Sequence, residues 1–499
     1  MRVSSILANG AWLLSSLPSA FAFRANLHRV AEVQQEVLLR ILRRNAETMF
    51  GRAHRFRSIA SVQDYQQCVP VRTYDEYPEL RDPRLLVSSP VIHVEPTSGS
   101  SGATKRIPYT RELRAEFERA IAPWIVDLFT SHPAAFAGEA YWSLSPVTSD
   151  GQTAADEDHL GPLRARLVRM VQAVPRDVRL HQDLDVFRRS TLLHLIRCRT
   201  LSLISVWHPS FLSLLMAPLR EMGSSLAVEI GGGRGAEVRS ATSLADDGAM
   251  HAALWPRLRV ISCWADAGAA SGAAHLSRLF PQASVVPKGL LSTEGFISFP
   301  LLAYRSHFYE LRCAESGEVI PASQARTGGR YGVILTTGAG LYRYDTEDLV
   351  ELTGFRDTCP ILRFVGRANH LSDHFGEKLN ELFVREHLAR ALESAGAPAS
   401  FAMLACEERS YALFVESDAT DAQLLSAADA LERSLRENIH YDYCRRLGQL
   451  EELTLFRIAR DGATTYLTSS GQRLGDVKLG ALDGRRGWGG RFEGRWVKR

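Results

Sequence analysis

Residues 96–105 read PTSGSSGATK, a stretch rich in groups that can hold an anion. Gly99 and Gly102 let successive backbone N–H groups turn inward and form a nest. Ser98, Ser100, Ser101 and Thr104 add hydroxyl donors, and Lys105 adds a point charge. The chemistry on offer is phosphate binding. The spacing is not G-x-x-x-x-G-K-[ST], so this is not a P-loop. A Ser/Gly-rich surface loop shares the composition, and the stretch alone does not separate the two.

The pattern T-S-G-S-S-G-x-x-K resembles the phosphate loop of the adenylate-forming superfamily, which includes acyl-CoA synthetases, luciferases and nonribosomal adenylation domains. Three more blocks follow in that superfamily's order. LLSTEGFISFP (290–300) resembles its S/T-E motif. The resemblance puts Thr293 on the adenylate phosphate and Glu294 on Mg²⁺. A carboxylate beside a triphosphate is unfavourable unless a cation bridges them. An isolated Thr-Glu pair capping an exposed helix is the plain alternative. GLYRYDTEDLVELTGF (340–355) resembles the Y-R-x-G-D stretch, with Tyr344 near the nucleotide and Asp348 on the ribose hydroxyls. Glu347 stands where the family usually has glycine, which adds bulk and charge. FVGRANHLSDHFGEKLNE (364–381) resembles the hinge motif: Arg367 near the ribose, Asn369 in the hinge aspartate's place, Lys378 at AMP.

A closer resemblance, over nearly the whole chain, is to the acyl-acid amido synthetases of the auxin-responsive promoter family. It is carried by QQEVLLRILRRNAETMFGRAHRF (34–56), VPVRTYDEY (69–77), ISVWHPSFL (204–212), LWPRLRVISCWADAG (254–268), SHFYELR (306–312) and the blocks above. RLGDVKLGALD (473–483) resembles the C-terminal lysine segment and makes Lys478 the candidate mobile catalytic lysine. The resemblance implies an ATP- and Mg²⁺-dependent ligase. It would adenylate a carboxylic acid with release of pyrophosphate, then pass the acyl group to an amino acid or other amine. Glu294, Lys105 and Lys478 would carry the chemistry. The alternatives are an acyl-CoA synthetase, another adenylate-forming ligase, or a non-catalytic nucleotide-binding relative.

The elements that must position these residues alternate. Residues 27–50 carry apolar side chains at helical spacing and predict one long amphipathic helix. Residues 87–96 and 106–110 read as strands on either side of the glycine–serine loop, and 111–129 as a helix. Alternating helix and strand patterns over 241–293 predict a buried α/β sheet. Residues 328–354 and 361–367 are β-rich. Beyond lies an α+β pattern: helix 380–396, hairpin 401–417, helix 422–438 and strand 450–459. The expected fold is α/β. It has a large N-terminal adenylate-forming domain (1–367) of sheets flanked by helices plus a small β-barrel, and a smaller mobile α+β lid (368–499). The Gly/Arg-rich end, 484–499, reads as a solvated tail rather than an RNA-binding segment.

Composition narrows the setting. The 499 residues exceed one simple core. The net charge of +3 implies neither nucleic acid nor membrane as a partner. Seven scattered cysteines without a C-x-x-C pair argue against disulfide or zinc frameworks and fit a cytoplasmic protein. A monomer acting on small molecules is expected. AWLLSSLPSAFAF (11–23) has a cleavage-like Ala-Phe-Ala, but serines and Pro18 interrupt it, and an amphipathic helix is the favoured reading. No stretch is read as reaching the 18–20 apolar residues of a membrane span.

Several further features invite chemistry. LAVEIGGGRGAE (226–237) has the look of a strand and cofactor loop; a connecting loop is favoured. His208 is taken as structural at a helix start, and Cys263 as a core residue. Tyr141, Trp142, Trp207 and Trp264 are weak candidates for an acyl pocket.

Overall fold

The amphipathic run at 27–50 does not stay one helix. Helix Val30–Arg44 buries Val30, Val33, Val37, Leu38, Ile41 and Leu42 along one face. Asn45 ends it, and Thr48 caps a second short helix, Met49–Ala53, by accepting from the Gly51 N–H at 2.9 Å. In this computed structural model the described residues are 3–96, 105–143, 162–181, 183–367, 371–372, 374–375, 377–446, 449–469 and 479–498. The chain divides into two units. Phe364 closes the first, and Val365 opens the second.

In the first unit, strands β1 (Val91–Pro96) and β2 (Arg106–Thr110) pair antiparallel, with Pro96 opposite Arg106. The two ends of the glycine–serine stretch therefore stand side by side. Helix Arg111–Ser131 follows directly, capped by Thr110. Strands β3 (Glu139–Trp142), β4 (Leu201–Ser205), β5 (Val260–Cys263) and β6 (Ser284–Pro287) form a parallel sheet in that order. The two central strands, β4 and β5, are buried along their whole length, as a covered parallel sheet requires. Leu203 and Val260 pack into one core, Ile204 and Ile261 into another.

A second sheet has the order β11-β10-β9-β7-β8. Its strands are β7 (Phe308–Cys313), β8 (Val319–Pro321), β9 (Arg330–Thr336), β10 (Tyr344–Arg356) and β11 (Cys359–Arg367). This sheet takes up the β-rich stretches 328–354 and 361–367, and among the described residues its outer strands, β8 and β11, share no ladder.

The second unit has its own core. A short pair, β12 (Leu371–Ser372) and β13 (Leu379–Asn380), precedes helix Glu381–Ser394. Strands β14 (Phe401–Glu407), β15 (Ser410–Glu416), β16 (Thr454–Ile458), β17 (Leu482–Asp483) and β18 (Gly494–Val497) make a sheet ordered β17-β14-β15-β16-β18. The supposed solvated tail is thus folded. β18 pairs with β16, and Trp488 is fully buried, stacked on Tyr466 and Phe492 at 5.2 Å each. Glycine and arginine dominate the composition there, but Trp488 and Phe492 are buried, and Trp496, though exposed, sets its ring edge on Phe456.

Two other expectations change. The stretch at 226–237 contains no strand: helices Leu219–Ile230 and Gly232–Thr242 meet at Gly231, whose φ is 66°. A Cβ on Gly235 would stand 2.3 Å from the Ala227 carbonyl oxygen, so that glycine serves close helix packing. At the N-terminus, Val3–Ala25 is one continuous helix through Pro18. By length and composition alone, Ser4–Ala25 is apolar enough to cross a membrane, contrary to the sequence reading. One face, with Trp12 and Phe23, is packed into the first core.

Candidate active site

Lys105 stands at the exit of the glycine–serine stretch and is buried. Its Nζ lies 3.2 Å from Tyr344 Oη, 239 residues away in sequence. The Tyr344 hydroxyl lies 3.3 Å from Glu294 Oε1. An ammonium has only donors and a carboxylate only acceptors, so Tyr344 accepts from Lys105 and donates to Glu294. Glu347 Oε2 is 3.8 Å from the same Nζ. Three distant blocks therefore converge on one buried chain of polar groups.

Local structure explains each placement. Ser292 and Gly295 exchange backbone hydrogen bonds, the Ser292 N–H to the Gly295 carbonyl at 3.0 Å and the reverse at 3.3 Å. Thr293 and Glu294 form the tip of that tight turn. No helix starts there, so the pair is not a helix cap, and Glu294 is 6% exposed. In β10 the register to β9 shifts between Asp345 and Leu349. Thr346, Glu347 and Asp348 stand against Val333 alone, a β-bulge of the kind that re-aims side chains. The Thr346 hydroxyl donates to the Val333 carbonyl at 2.9 Å, the Asp348 N–H to Thr346 Oγ1 at 3.2 Å, and the Glu347 N–H to Asp345 Oδ1 at 3.0 Å. The bulge holds Glu347 at φ 64°, where glycine is the natural occupant. Asp348 is buried in it.

Two buried networks that sequence reasoning missed hold these pieces in place. Arg343 makes two hydrogen bonds to Glu310, at 2.9 and 3.0 Å, and donates to the carbonyls of Val69 and Gln66. It ties the 340–355 block to the 69–77 segment. Glu116, on helix Arg111–Ser131, accepts from His307 Nδ1 at 2.8 Å and from the Gly338 N–H at 3.0 Å. His307 Nε2 accepts from the Phe296 N–H at 3.2 Å, which fixes a neutral ring with its hydrogen on Nδ1. The helix after the loop is thereby fastened to both later blocks. The only sequence signal was a Glu in a helix and a His in SHFYELR, neither of which stands out.

The donor set suits a phosphate with a divalent cation. Mg²⁺ takes one or two protein carboxylates beside substrate phosphates, and the buried Glu294 carboxylate is of the kind that would serve. Among the described residues no group of three or more His, Cys, Asp or Glu stands ready as an all-protein cage. Thr293 is half-buried next to Glu294. Arg367 and Lys378 belong to the second unit. Arg367 ends β11, half-buried; Lys378 is exposed at φ 44°, its carbonyl accepting from Asn438 Nδ2 at 3.3 Å. Ser98, Gly99, Ser100, Ser101, Gly102, Thr104, Asn369 and Lys478 lie outside the described residues.

Two other candidates, His208 and Cys263, resolve as packing. His208 is buried and caps helix Pro209–Met216, accepting from the Ser210 N–H at 3.2 Å. Burial pushes the Cys263 thiol up to about 12, so it is no nucleophile near neutral pH.

Comparison with known proteins decides the lineage. Residues 21–238 match the GH3 family N-terminal domain, and residues 298–367 match the GH3 family central domain. The chain belongs to the GH3 family. Glu294 falls between the two matched stretches, and Lys105, Tyr344 and Asp348 fall inside them. Among curated GH3 relatives, the indole-3-acetic acid-amido synthetase GH3.8 of Oryza sativa subsp. indica is 31% identical over 108 residues, 20% of this chain and 17% of that protein. The probable indole-3-acetic acid-amido synthetase GH3.11 of Oryza sativa subsp. japonica is 27% identical over 185 residues, 33% of this chain and 31% of that protein. The GH3 domain-containing protein of Homo sapiens is 27% identical over 193 residues, 35% and 34% of the two chains. The matched stretch thus spans at most about a third of each relative. The fold agrees over far more: GH3.15 acyl acid amido synthetase superposes with TM-score 0.78 at 18% identity, covering 93% of each chain. A 2-hydroxyisobutyryl-CoA ligase superposes with TM-score 0.51 at 13% identity, covering 86% of this chain and 87% of that one. The α/β architecture matches that of GH3.15 acyl acid amido synthetase.

Proposed function

We propose that the protein is an ATP-dependent acyl-acid amido synthetase. A carboxylate oxygen attacks the α-phosphorus of ATP, and the bond to pyrophosphate breaks, leaving an acyl-adenylate. An amine, that of an amino acid, then attacks the acyl carbon, loses a proton and releases AMP as the amide forms. Adenylation is needed because oxide is a very poor leaving group and AMP a good one. The protein's part is positioning and charge neutralisation at phosphorus.

The observation that carries this reading is the buried chain Lys105–Tyr344–Glu294 in a GH3 protein. In it Lys105, with Ser98, Gly99, Ser100, Ser101 and Gly102, holds phosphates. Glu294 would hold Mg²⁺, which would neutralise phosphate charge. Thr293, Asp348, Arg367 and Lys378 hold the nucleotide. Lys478 neutralises charge in adenylation, and the second unit swings at Asn369 between half-reactions. The reaction belongs where ATP is abundant, the cytoplasm, and the seven free cysteines agree with that.

The test is carboxylate-dependent exchange of labelled pyrophosphate into ATP over a panel of aryl, indolyl and fatty acids. The reading fails if no acid supports exchange and AMP never forms. Release of the acyl group by coenzyme A instead of an amine would make the protein an acyl-CoA synthetase.

A further inference from the structure

The carboxyl edge of the parallel sheet carries polar groups that the ATP site does not use. Trp142, Ser205, Ser262 and Val286 stand in one row across β3, β4, β5 and β6. The row lies on the face of Leu203 and Val260, the first core. Ser205 is 1% exposed and Ser262 0%, yet neither hydroxyl has a hydrogen-bond partner among the described residues, and the Trp142 indole N–H has none either. Buried donors left without partners are rare and call for an explanation. Ligands of open α/β sheets bind beyond the carboxyl ends of the strands, where these groups are.

Two residues further along the strands stand Trp207, Trp264 and Lys288. The Trp264 N–H donates to the Trp207 carbonyl at 2.8 Å, and the two rings lie 5.7 Å apart. The Lys288 N–H donates to the Cys263 carbonyl at 3.0 Å, so the pairing of β5 and β6 runs on to this residue. Lys288 is 4% exposed. Its Nζ sits 4.0 Å over the Trp207 ring and 6.0 Å from that of Trp124. Trp124, on helix Arg111–Ser131, also reaches Phe296, two residues past Glu294, at 6.5 Å. A cation, two orphan hydroxyls and indole walls thus share one edge, next to the turn that carries Glu294.

We propose that this edge binds an aromatic acid bearing a second carboxylate, with Lys288 as the counter-ion of that second group and Ser205 and Ser262 as its hydroxyl donors. This rests on the ligase reading above, since it names the acid that reaction would take. Indole faces suit a flat apolar body, and ammonium plus hydroxyls suit an anion. The reacting carboxylate loses its charge on adenylation, so a cation dedicated to it would face no anion in the second half-reaction. A second carboxylate keeps its charge through both.

The probes are benzoate and indole-3-acetate against their ring-carboxylated counterparts, titrated into the full chain and followed by tryptophan fluorescence. Wild type is expected to bind at least one diacid ten or more times tighter than its monoacid. Lys288→Met should erase that preference while changing monoacid affinity less than threefold, Lys288→Arg should retain part of it, and Ser262→Ala should weaken diacid binding three- to fivefold. Absence of a diacid preference in wild type overturns the proposal, as does an equal loss for both acids in Lys288→Met. If Lys288→Met does not fold, Lys288→Gln and Ser262→Ala carry the same comparison. Pyrophosphate exchange separates the two readings. Exchange with monoacids but no diacid preference rejects this proposal alone. A diacid preference in binding with no exchange for any acid rejects the ligase alone.

Discussion

Lys105 is the cation on which the proposed phosphate grip depends, and its neighbours set what it can do. Replacing it with methionine removes a buried charge that the ligand would otherwise meet. The expected loss in acid-dependent exchange is at least about a hundredfold, in line with removing one preorganised electrostatic donor. Glu294→Gln should keep the fold and its hydrogen bond from Tyr344 but demand far more Mg²⁺; an unchanged Mg²⁺ titration would reject Glu294 as its ligand. Glu347 is the unusual residue. It occupies a left-handed conformation and places a carboxylate 3.8 Å from the lysine that phosphate would need. Glu347→Gly relieves the backbone and removes that competitor. ATP should then bind roughly five times tighter, about 1 kcal/mol for one partly exposed charge pair. Calorimetry showing weaker binding would mean that Glu347 supports the nucleotide instead.

Elements are held in register by close approaches more than by their own propensity. Gly338 sits where helix Arg111–Ser131 meets the 340–355 block. A Cβ there would come 2.6 Å from Glu112 Cβ and 2.7 Å from Glu116 Oε1. Gly338→Ala should cost roughly 1–3 kcal/mol by overpacking, and it should lower exchange more than the melting shift alone explains, because the helix after the loop moves. In the second unit Trp488 fills the space between Tyr466 and Phe492. Trp488→Ala should destabilise that unit by about 3–5 kcal/mol. Calorimetry reads this as an earlier transition, and an unshifted trace would contradict the folded C-terminal segment.

Across the whole molecule the cysteines report how burial is distributed. Burial raises the thiols of Cys198, Cys263 and Cys359 to about 12 and that of Cys406 to about 11. Hydrogen bonds from the Ser316 side chain and backbone lower Cys313, which is half-buried. A lowered value means more thiolate at a given pH, hence faster alkylation. At pH 8 iodoacetamide should label Cys313 well before those four, which should react only after unfolding. Peptide mass spectrometry showing native Cys263 labelled alongside Cys313 would overturn that order.

What could be read in the chain was local chemistry and period. Glycine and hydroxyls at 98–105, a Thr-Glu pair, an Asp four residues after Tyr344, and the helix and strand periods around them depend only on residue type and spacing; Lys105 is legible on that basis, and Glu294 and Tyr344 through the family resemblance those motifs carry. What they touch could not be read. Lys105 meets Tyr344 across 239 residues, and the partnership of Glu116 with His307 and Gly338 spans similar distances. No periodicity encodes such pairs, because they form only when sheets and helices dock. The same reason hid the folded segment 484–498: composition averages over it, whereas burial depends on Trp488 finding Tyr466 and on Phe492 finding Phe401 of β14 and Phe414 of β15. Lys288 shows the division most plainly. In the sequence it is one lysine before a glycine; only the tertiary structure sets its ammonium over an indole, because Lys288, Trp207 and Trp124 come from three different parts of the chain.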